Sequence, residues 1–339
     1  MKAYEVQEAT SDYSGVVRTE RERPVPADDE ALVRIRACSL NYRDLAIASS
    51  ELFYPQTDLP VVPLSDGAGE VVAVGDDVRR LSEGDRVATP FAPDWVEGEA
   101  TPATVGRSTG GNVDGALAEY ATFPAESLAV LPEYLSVEQG ATLSCAGLTA
   151  WRALAEDGDL GAGESVLTLG TGGVSTFALQ FAEMHGASTV VTSSSDEKLE
   201  RARELGADET INYETTPEWG EAVRERIGGV DHVVEVGGPG TLDQSLQAAA
   251  FNGHVHLIGV LAGQGDQVDP TPALGKALKI EGVMGVGSRA MFDRMLRAMA
   301  VEEMEPEIDR TFGFDEVQEA YQYVEDGEHQ GKVVVTADA

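Results

Sequence analysis

Ser165-Val-Leu-Thr-Leu-Gly-Thr-Gly-Gly-Val-Ser175 is the stretch on which the fold turns. Residues 165–169 form a compact, mostly aliphatic run of a length suited to a buried strand, and the glycines at 170, 172 and 173 permit a tight turn after it. From Val174 to His185 the apolar residues recur at helical spacing, so the stretch reads as strand, turn, helix. Such a turn lets the backbone approach a ligand closely. It also aims the unpaired N–H groups and positive end of the helix at an anion such as a pyrophosphate. Gly170, Gly172, Gly173 and Val174 are therefore candidate dinucleotide contacts. The third glycine of the G-x-G-x-x-G pattern is Ser175 here, small enough for close helix packing. Glycine-rich turns also punctuate α/β proteins that bind nothing; the position between strand and helix gives this one its weight.

Outward from this stretch, helices and strands alternate. Val137 to Glu156 has helical spacing, Ser188 to Thr192 reads as a strand, Asp196 to Leu205 as a helix and Val230 to Glu235 as a strand. Leu242 to Ala250 is helical and Val255 to Ile258 is again a strand. The succession predicts an α/β fold with a doubly wound parallel sheet. The first third has another texture. Ala31 to Ala37 alternates with period two, Gly67 to Val74 runs into the turn Gly75-Asp76-Asp77, and Gly84 to Ala88 and Leu117 to Phe123 continue a mostly β pattern. Phe91 to Gly115, rich in Pro, Gly and Thr, reads as a long surface loop. The tail carries helices from about Ser288 through Met299 and from Asp315 to Tyr323, then a strand from Lys332 to Thr336. A chain of 339 residues is long for one core, and two domains are expected, with a cleft suited to a cofactor.

The residues after the second strand bear on which dinucleotide fits. An acidic residue there holds the free 2′-hydroxyl of NAD and repels the 2′-phosphate of NADP. Here the chain reads Thr192-Ser193-Ser194-Ser195, followed by Lys198, Arg201 and Arg203. Hydroxyls and cations suit a phosphate, which makes Ser193, Ser194 and Lys198 candidates and NADPH the expected cofactor, with NADH possible. Ser194 with Glu197 also fits a helix-starting S-x-x-E capping box, and Asp196 and Glu197 add negative charge nearby.

The formal net charge is −35, and the acids are scattered along the chain rather than gathered in a tail. That field repels nucleic acid and anionic lipid, excluding both as expected partners. Only five of the 24 basic residues are lysines (Lys2, Lys198, Lys276, Lys279, Lys332), a pattern expected of a surface adapted to high salt. No run of apolar residues is long enough to span a bilayer and the N-terminus lacks a signal pattern, so a cytoplasmic location is expected. Cys38 and Cys145 are the only cysteines, too few for a disulfide framework or a four-thiolate zinc site.

Several segments, in order and over nearly the whole chain, resemble the medium-chain dehydrogenase/reductase superfamily, in particular its zinc-free, quinone oxidoreductase-like members. They are Ser39-Leu-Asn-Tyr-Arg-Asp44, Asp66 to Gly75 with Gly84-Asp-Arg-Val87, Cys145-Ala-Gly-Leu-Thr-Ala-Trp151, the glycine-rich turn, Leu205-Gly-Ala-Asp208, Val236-Gly-Gly238 and Gly331-Lys-Val-Val334. The resemblance implies a GroES-like, mostly β catalytic domain from 1–126 and 288–339, and a Rossmann dinucleotide-binding domain over 127–287. It implies backbone contacts to the nicotinamide half from Gly237, Gly259 and Val260, and pairing of two chains through the strand near Ile280 to Met284, hence a homodimer.

Zinc-dependent members carry a Cys ligand where this chain has Asn41 and a His ligand where it has Ser65; only Cys145 matches. None of His185, His232, His254, His256 and His329 falls at H-x-x-x-H spacing, and His254 and His256 read as flanking a strand. No metal is therefore expected, zinc included. Without a Lewis acid, reduction of an alkene conjugated to a carbonyl is the easier chemistry, because an enolate accepts hydrogen bonds and is protonated afterwards. Tyr54 resembles the tyrosine that enoyl thioester reductases of the superfamily place beside the nicotinamide, and Asn41 can donate an amide hydrogen bond; these are the catalytic candidates. Each also has a plain reading, as a packed ring and a turn residue. Arg43 and Asp44 read as an ion pair orienting the loop. The leading expectation is an NADPH-dependent reductase of quinones or other α,β-unsaturated carbonyls. The alternatives are a zinc-independent alcohol dehydrogenase, also acting on a small molecule, and a non-catalytic NADPH-binding or structural protein.

Overall fold

The computed structural model describes residues 1–49, 58–263, 268–284 and 286–337. The chain divides into two compact units, Met1–Leu148 with Gly285–Ala339, and Thr149–Met284. Seven described strands precede the second unit: β1 (Lys2–Val6), β2 (Val16–Glu20), β3 (Glu30–Leu40), β4 (Asp66–Val74), β5 (Arg86–Ala88), β6 (Tyr120–Pro124) and β7 (Ala129–Val130). Six lie within it: β8 (Ser165–Leu169), β9 (Ser188–Ser193), β10 (Glu209–Asn212), β11 (Val230–Glu235), β12 (Ala249–Leu257) and β13 (Lys279–Gly282). Two follow, β14 (Ile308–Phe312) and β15 (Lys332–Thr336).

In the second unit the strand order is β10-β9-β8-β11-β12-β13, every pairing parallel. The chain starts at the centre, winds out through β9 to β10, then crosses back past β8 to build the other half. The order reverses beside β8, so the turn at Gly170 opens at the place where doubly wound sheets bind ligands. Leu167, Leu169, Val233 and Val255 supply one buried face, packed with Trp219, Val223 and Leu246. β10 and the helix Trp219–Ile227 are among the elements that add to those expected from sequence. β10 has only four residues at the sheet edge, and the helix Trp219–Ile227 begins without a side-chain cap, so neither carries a strong local signal. β12 begins at Ala249 rather than Val255, and His254 and His256 both lie inside it. Within the expected Val137 to Glu156 helix, Leu143–Gly147 and Arg152–Glu156 take wider π-helical turns.

In the first unit the order is β14-β15-β3-β4-β5-β7, with β6 also on β3 and a separate β1–β2 ribbon. Val33, Ile35, Leu64, Val71, Leu117, Phe314 and Tyr321 are part of its core. Two registers position the polar residues described below. β3 sets Ser39 opposite Asp66 of β4, and β15 sets Val333 opposite Leu40 of β3. Lys332 thereby arrives beside Asn41. Among the described residues no helix is long and apolar enough to cross a membrane.

Candidate functional site

The glycine-rich turn leaves β8 through Gly170, whose φ of +74° lies in the region that favours glycine. No atom comes within 4 Å of where a Cβ would stand on Gly170 or Gly172, so both face open space. Gly172 is the N-cap of the 13-residue helix Gly173–His185. The first bond of its ladder runs from Thr176 N–H to the Gly172 carbonyl (2.9 Å). The N–H groups of Gly173, Val174 and Ser175 therefore precede that ladder and are directed out of the helix end. Ser175, at the third glycine position, donates its hydroxyl to the Leu169 carbonyl (2.6 Å) and ties helix to strand. An open, glycine-faced cradle at a helix N-terminus fits a pyrophosphate in shape and charge.

β9 ends at Ser193 with no carboxylate on its last residue. The Ser193 hydroxyl accepts a bond from Ser195 N–H (3.3 Å), and Ser195 caps the helix Asp196–Glu204 by accepting from Lys198 N–H. The cap is thus Ser195, one residue later than the Ser194–Glu197 box expected from sequence, because Ser195 is the residue with extended backbone before the first turn. Ser194 is exposed. The nearby acid is engaged: Asn212 donates its amide to Asp196 Oδ1 (2.6 Å) and also to the Ser194 carbonyl (3.3 Å).

Gly237, Gly259 and Val260 lie in loops after β11 and β12 that are bonded to one another. Leu261 N–H reaches the Val236 carbonyl (3.1 Å) and Ala262 N–H that of Gly237 (2.9 Å). The loops approach too closely for side chains: a Cβ on Gly238 would stand 2.8 Å from Val260 Cα, and one on Gly259 2.7 Å from the Val236 oxygen. Glu235, fully buried at the end of β11, organises them. Its Oε1 accepts from the N–H groups of Gly237 and Gly238 (2.8 Å each) and the Thr241 hydroxyl (2.6 Å), while Oε2 accepts from Ser245. Sequence reasoning did not single out Glu235; an acid closing an apolar strand just before two glycines was the available signal.

The first unit holds a buried polar cluster. Lys332, 2% exposed, donates from Nζ to the Leu40 carbonyl and to Asn41 Oδ1 (2.6 Å each) and lies 3.5 Å from the Asp66 carboxylate. Asp66 also accepts from the Ser65 hydroxyl (2.9 Å) and the Ser39 hydroxyl (3.3 Å). With Oδ1 turned to the ammonium, Asn41 presents Nδ2 as a buried donor without a partner among the described residues. Asp44 Oδ2 accepts from Asn41 N–H (2.8 Å) and fixes the backbone there. Burial pushes the Asp44 carboxyl up to about 6, against the lowering effect of Arg43, whose Nη1 is 3.8 Å from it. Arg43 also donates to the Thr109 carbonyl (2.8 Å) and Ser108 hydroxyl (3.3 Å) and stacks over Phe91, 4.6 Å from the ring centre. It thus pins both ends of the loop 91–109. The same loop supplies the carbonyls of Trp95 and Val96 to the N–H groups of Arg289 and Ala290, at the start of the helix Arg289–Glu302.

At the three positions that the resemblance singles out for zinc ligands, the cluster offers a neutral amide already engaged by an ammonium (Asn41), a hydroxyl donating to Asp66 (Ser65) and a thiol (Cys145). Burial first, then the Asp66 charge, pushes that thiol up. This donor set does not fit a zinc ion. Tyr54 lies outside the described residues.

Two family models match the chain: alcohol dehydrogenase GroES-like domain over residues 27–133, and zinc-binding dehydrogenase over 173–301. A zinc-type alcohol dehydrogenase-like protein of Schizosaccharomyces pombe is 44% identical over 318 residues, covering 91% of each chain. The NADPH-dependent alkenal/one oxidoreductase of Arabidopsis thaliana chloroplasts is 31% identical, over 96% of this chain and 78% of that one. Among solved structures, one described as an alcohol dehydrogenase from Sinorhizobium meliloti superposes with a TM-score of 0.91 at 38% identity, covering 99% of this chain and 98% of that one. The GroES-like unit, the parallel dinucleotide-type sheet and these likenesses agree: the chain belongs to the medium-chain dehydrogenase/reductase superfamily, as an alcohol dehydrogenase-like oxidoreductase.

Proposed function

We propose that this oxidoreductase reduces α,β-unsaturated carbonyl compounds, quinones among them, with NADPH and without a metal. The observation that carries the reading is the buried Asn41 amide, held by Lys332 on one side and presenting an unpartnered donor on the other. Bound NADPH supplies the hydride. The N–H groups at Gly172, Gly173 and Val174 and the open face of Gly170 hold the pyrophosphate, and Ser193, Ser194 and Lys198 take the 2′-phosphate. Gly237, Gly259 and Val260 contact the nicotinamide half through backbone. Hydride arrival at the β-carbon of an enone places negative charge on the carbonyl oxygen. The Asn41 Nδ2–H groups stabilise that charge, and the Lys332 ammonium on Oδ1 polarises the amide and strengthens them as donors. Tyr54 is the proposed proton donor to the enolate. In this reading 1–126 and 288–339 carry the catalytic chemistry and 127–287 the cofactor, in a cytoplasmic homodimer with a salt-adapted surface. The Arabidopsis relative's name supports both the cofactor and the substrate class.

Asn41→Asp tests this directly. It keeps an acceptor for Lys332 and removes the donor, so kcat on an enone is expected to fall by about 100-fold or more with NADPH affinity unchanged. A variant with wild-type kcat would rule Asn41 out of charge stabilisation. A screen with chelator present separates the chemistries. Turnover of enals or quinones is expected; turnover of primary alcohols alone would transfer the assignment to alcohol oxidation.

A further inference from the structure

We propose that His232, His254 and His256 form a binding site for a divalent transition-metal ion of the zinc type, built into the parallel sheet and separate from the positions of residues 41, 65 and 145. His232 stands on β11 directly opposite His254 of β12, and His256 lies two residues further along β12, so all three rings share one face of the sheet. One ring nitrogen from each lies within 4.8 Å of the other two, and His232 Nδ1 is 3.1 Å from His256 Nε2. In a tetrahedral site with Zn–N bonds of about 2.0–2.1 Å, ligand nitrogens are about 3.3 Å apart, so one pair already stands near its bound separation.

Two further features suit metal binding. The rings are buried, at 4%, 6% and 0% exposure, and His256 Nδ1 has no partner among the described residues. Carboxylates stand behind two of the rings: Glu164 Oε2 is 3.2 Å from His232 Nε2, and Glu281 Oε2 is 3.1 Å from His254 Nε2. With His232 Nε2–H directed at Glu164, the Nδ1 lone pair points into the cluster, the arrangement that orients and strengthens histidine ligands. Lys279, 2.6 Å from Glu281, balances that carboxylate and leaves the interior to three imidazole rings. Imidazole ligands favour zinc, copper and nickel over magnesium or calcium. The fourth position falls to water or a carboxylate. An ion there would clamp β11 to β12 and raise the stability of the unit, and it would take no part in hydride transfer.

The inference does not depend on the reductase reading, and its test reads no activity. Full-length protein is stripped with chelator and titrated with Zn²⁺ or Co²⁺ in high salt with excess Mg²⁺, which occupies the acidic surface. One ion per chain is expected, with the intense visible bands of a four-coordinate cobalt site and a rise in melting temperature that follows metal concentration. His254→Gln and His256→Gln should each weaken binding by about 100-fold or more, and Glu164→Gln by about 10–100-fold. X-ray absorption on the wild-type cobalt form, which needs no variant to fold, should count three imidazoles. Absence of stoichiometric uptake, six-coordinate oxygen-type cobalt spectra, or uptake unchanged in both histidine variants would each overturn the proposal.

Discussion

Gly172 touches nothing where its side chain would be, and its φ of −75° suits any residue. Gly172→Val should therefore fold with an unchanged melting temperature yet bind NADPH at least about tenfold more weakly, a combination a packing role for this glycine does not produce. Asp44 gives a pH prediction. Its folded-state carboxyl sits near 6, above the ordinary value of about 3.9, so its protonation favours the fold at low pH and that contribution is lost as pH rises through 6. Asp44→Asn should gain stability relative to wild type between pH 4 and pH 8 in denaturant titrations; a constant difference would show that Asp44 does not titrate there. The glycine turn and Asn41 stand out as candidates in the sequence because local residue order is enough to propose them. Lys332 was visible only as part of a closing motif. Its bond to Asn41 spans 291 residues and exists through the β15–β3 register, which no local pattern announces.

At the scale of elements, β8 and β11 were plain because each holds a short β-branched or aliphatic stretch followed by glycines. The start of β12 is hidden in the sequence because Ala249 and Ala250 continue the apolar pattern of the helix before them and Asn252-Gly253 looks like a turn; Asn252 indeed has a φ of +61°. A strand begun at Val255 separates His254 and His256 from a common strand face, although H-x-H is the spacing that places two rings on one side. The loop after β11 depends on a carboxylate that accepts four hydrogen bonds. Glu235→Ala would leave those donors unsatisfied, at about 1–3 kcal/mol each for the buried ones. Loss of several kcal/mol of stability is expected, together with a raised KM for NADPH. Wild-type KM in a folded variant would show that the loop holds its shape without Glu235. At the end of β9, Ser194→Asp places a negative charge where a 2′-phosphate would lie, and the ratio of kcat/KM for NADPH over NADH should drop at least about tenfold.

For the whole molecule, a net charge of −35 makes self-repulsion the dominant long-range term at low ionic strength. Melting temperature should climb steeply between dilute buffer and molar KCl, where the Debye length falls to about 3 Å; a flat response would remove the case for salt adaptation. β13 is the sheet edge, with Ile280 46% and Met284 71% exposed nearby, which supports pairing of two chains through this strand. Light scattering in molar salt should give a dimer mass, and Ile280→Lys should reduce it; a wild-type monomer would refute the pairing.

The path of the chain also sets an order of assembly. The dinucleotide-type unit is continuous in sequence, whereas the other is interrupted by it and waits for β15 to complete its sheet. At about 5–20 residues per second of synthesis, the 291 residues between Asn41 and Lys332 represent about 15–60 s in which Asn41 has no Lys332 ammonium beside it. On the ribosome, then, the glycine-rich cradle and its sheet are complete well before the polar cluster around Asn41 closes.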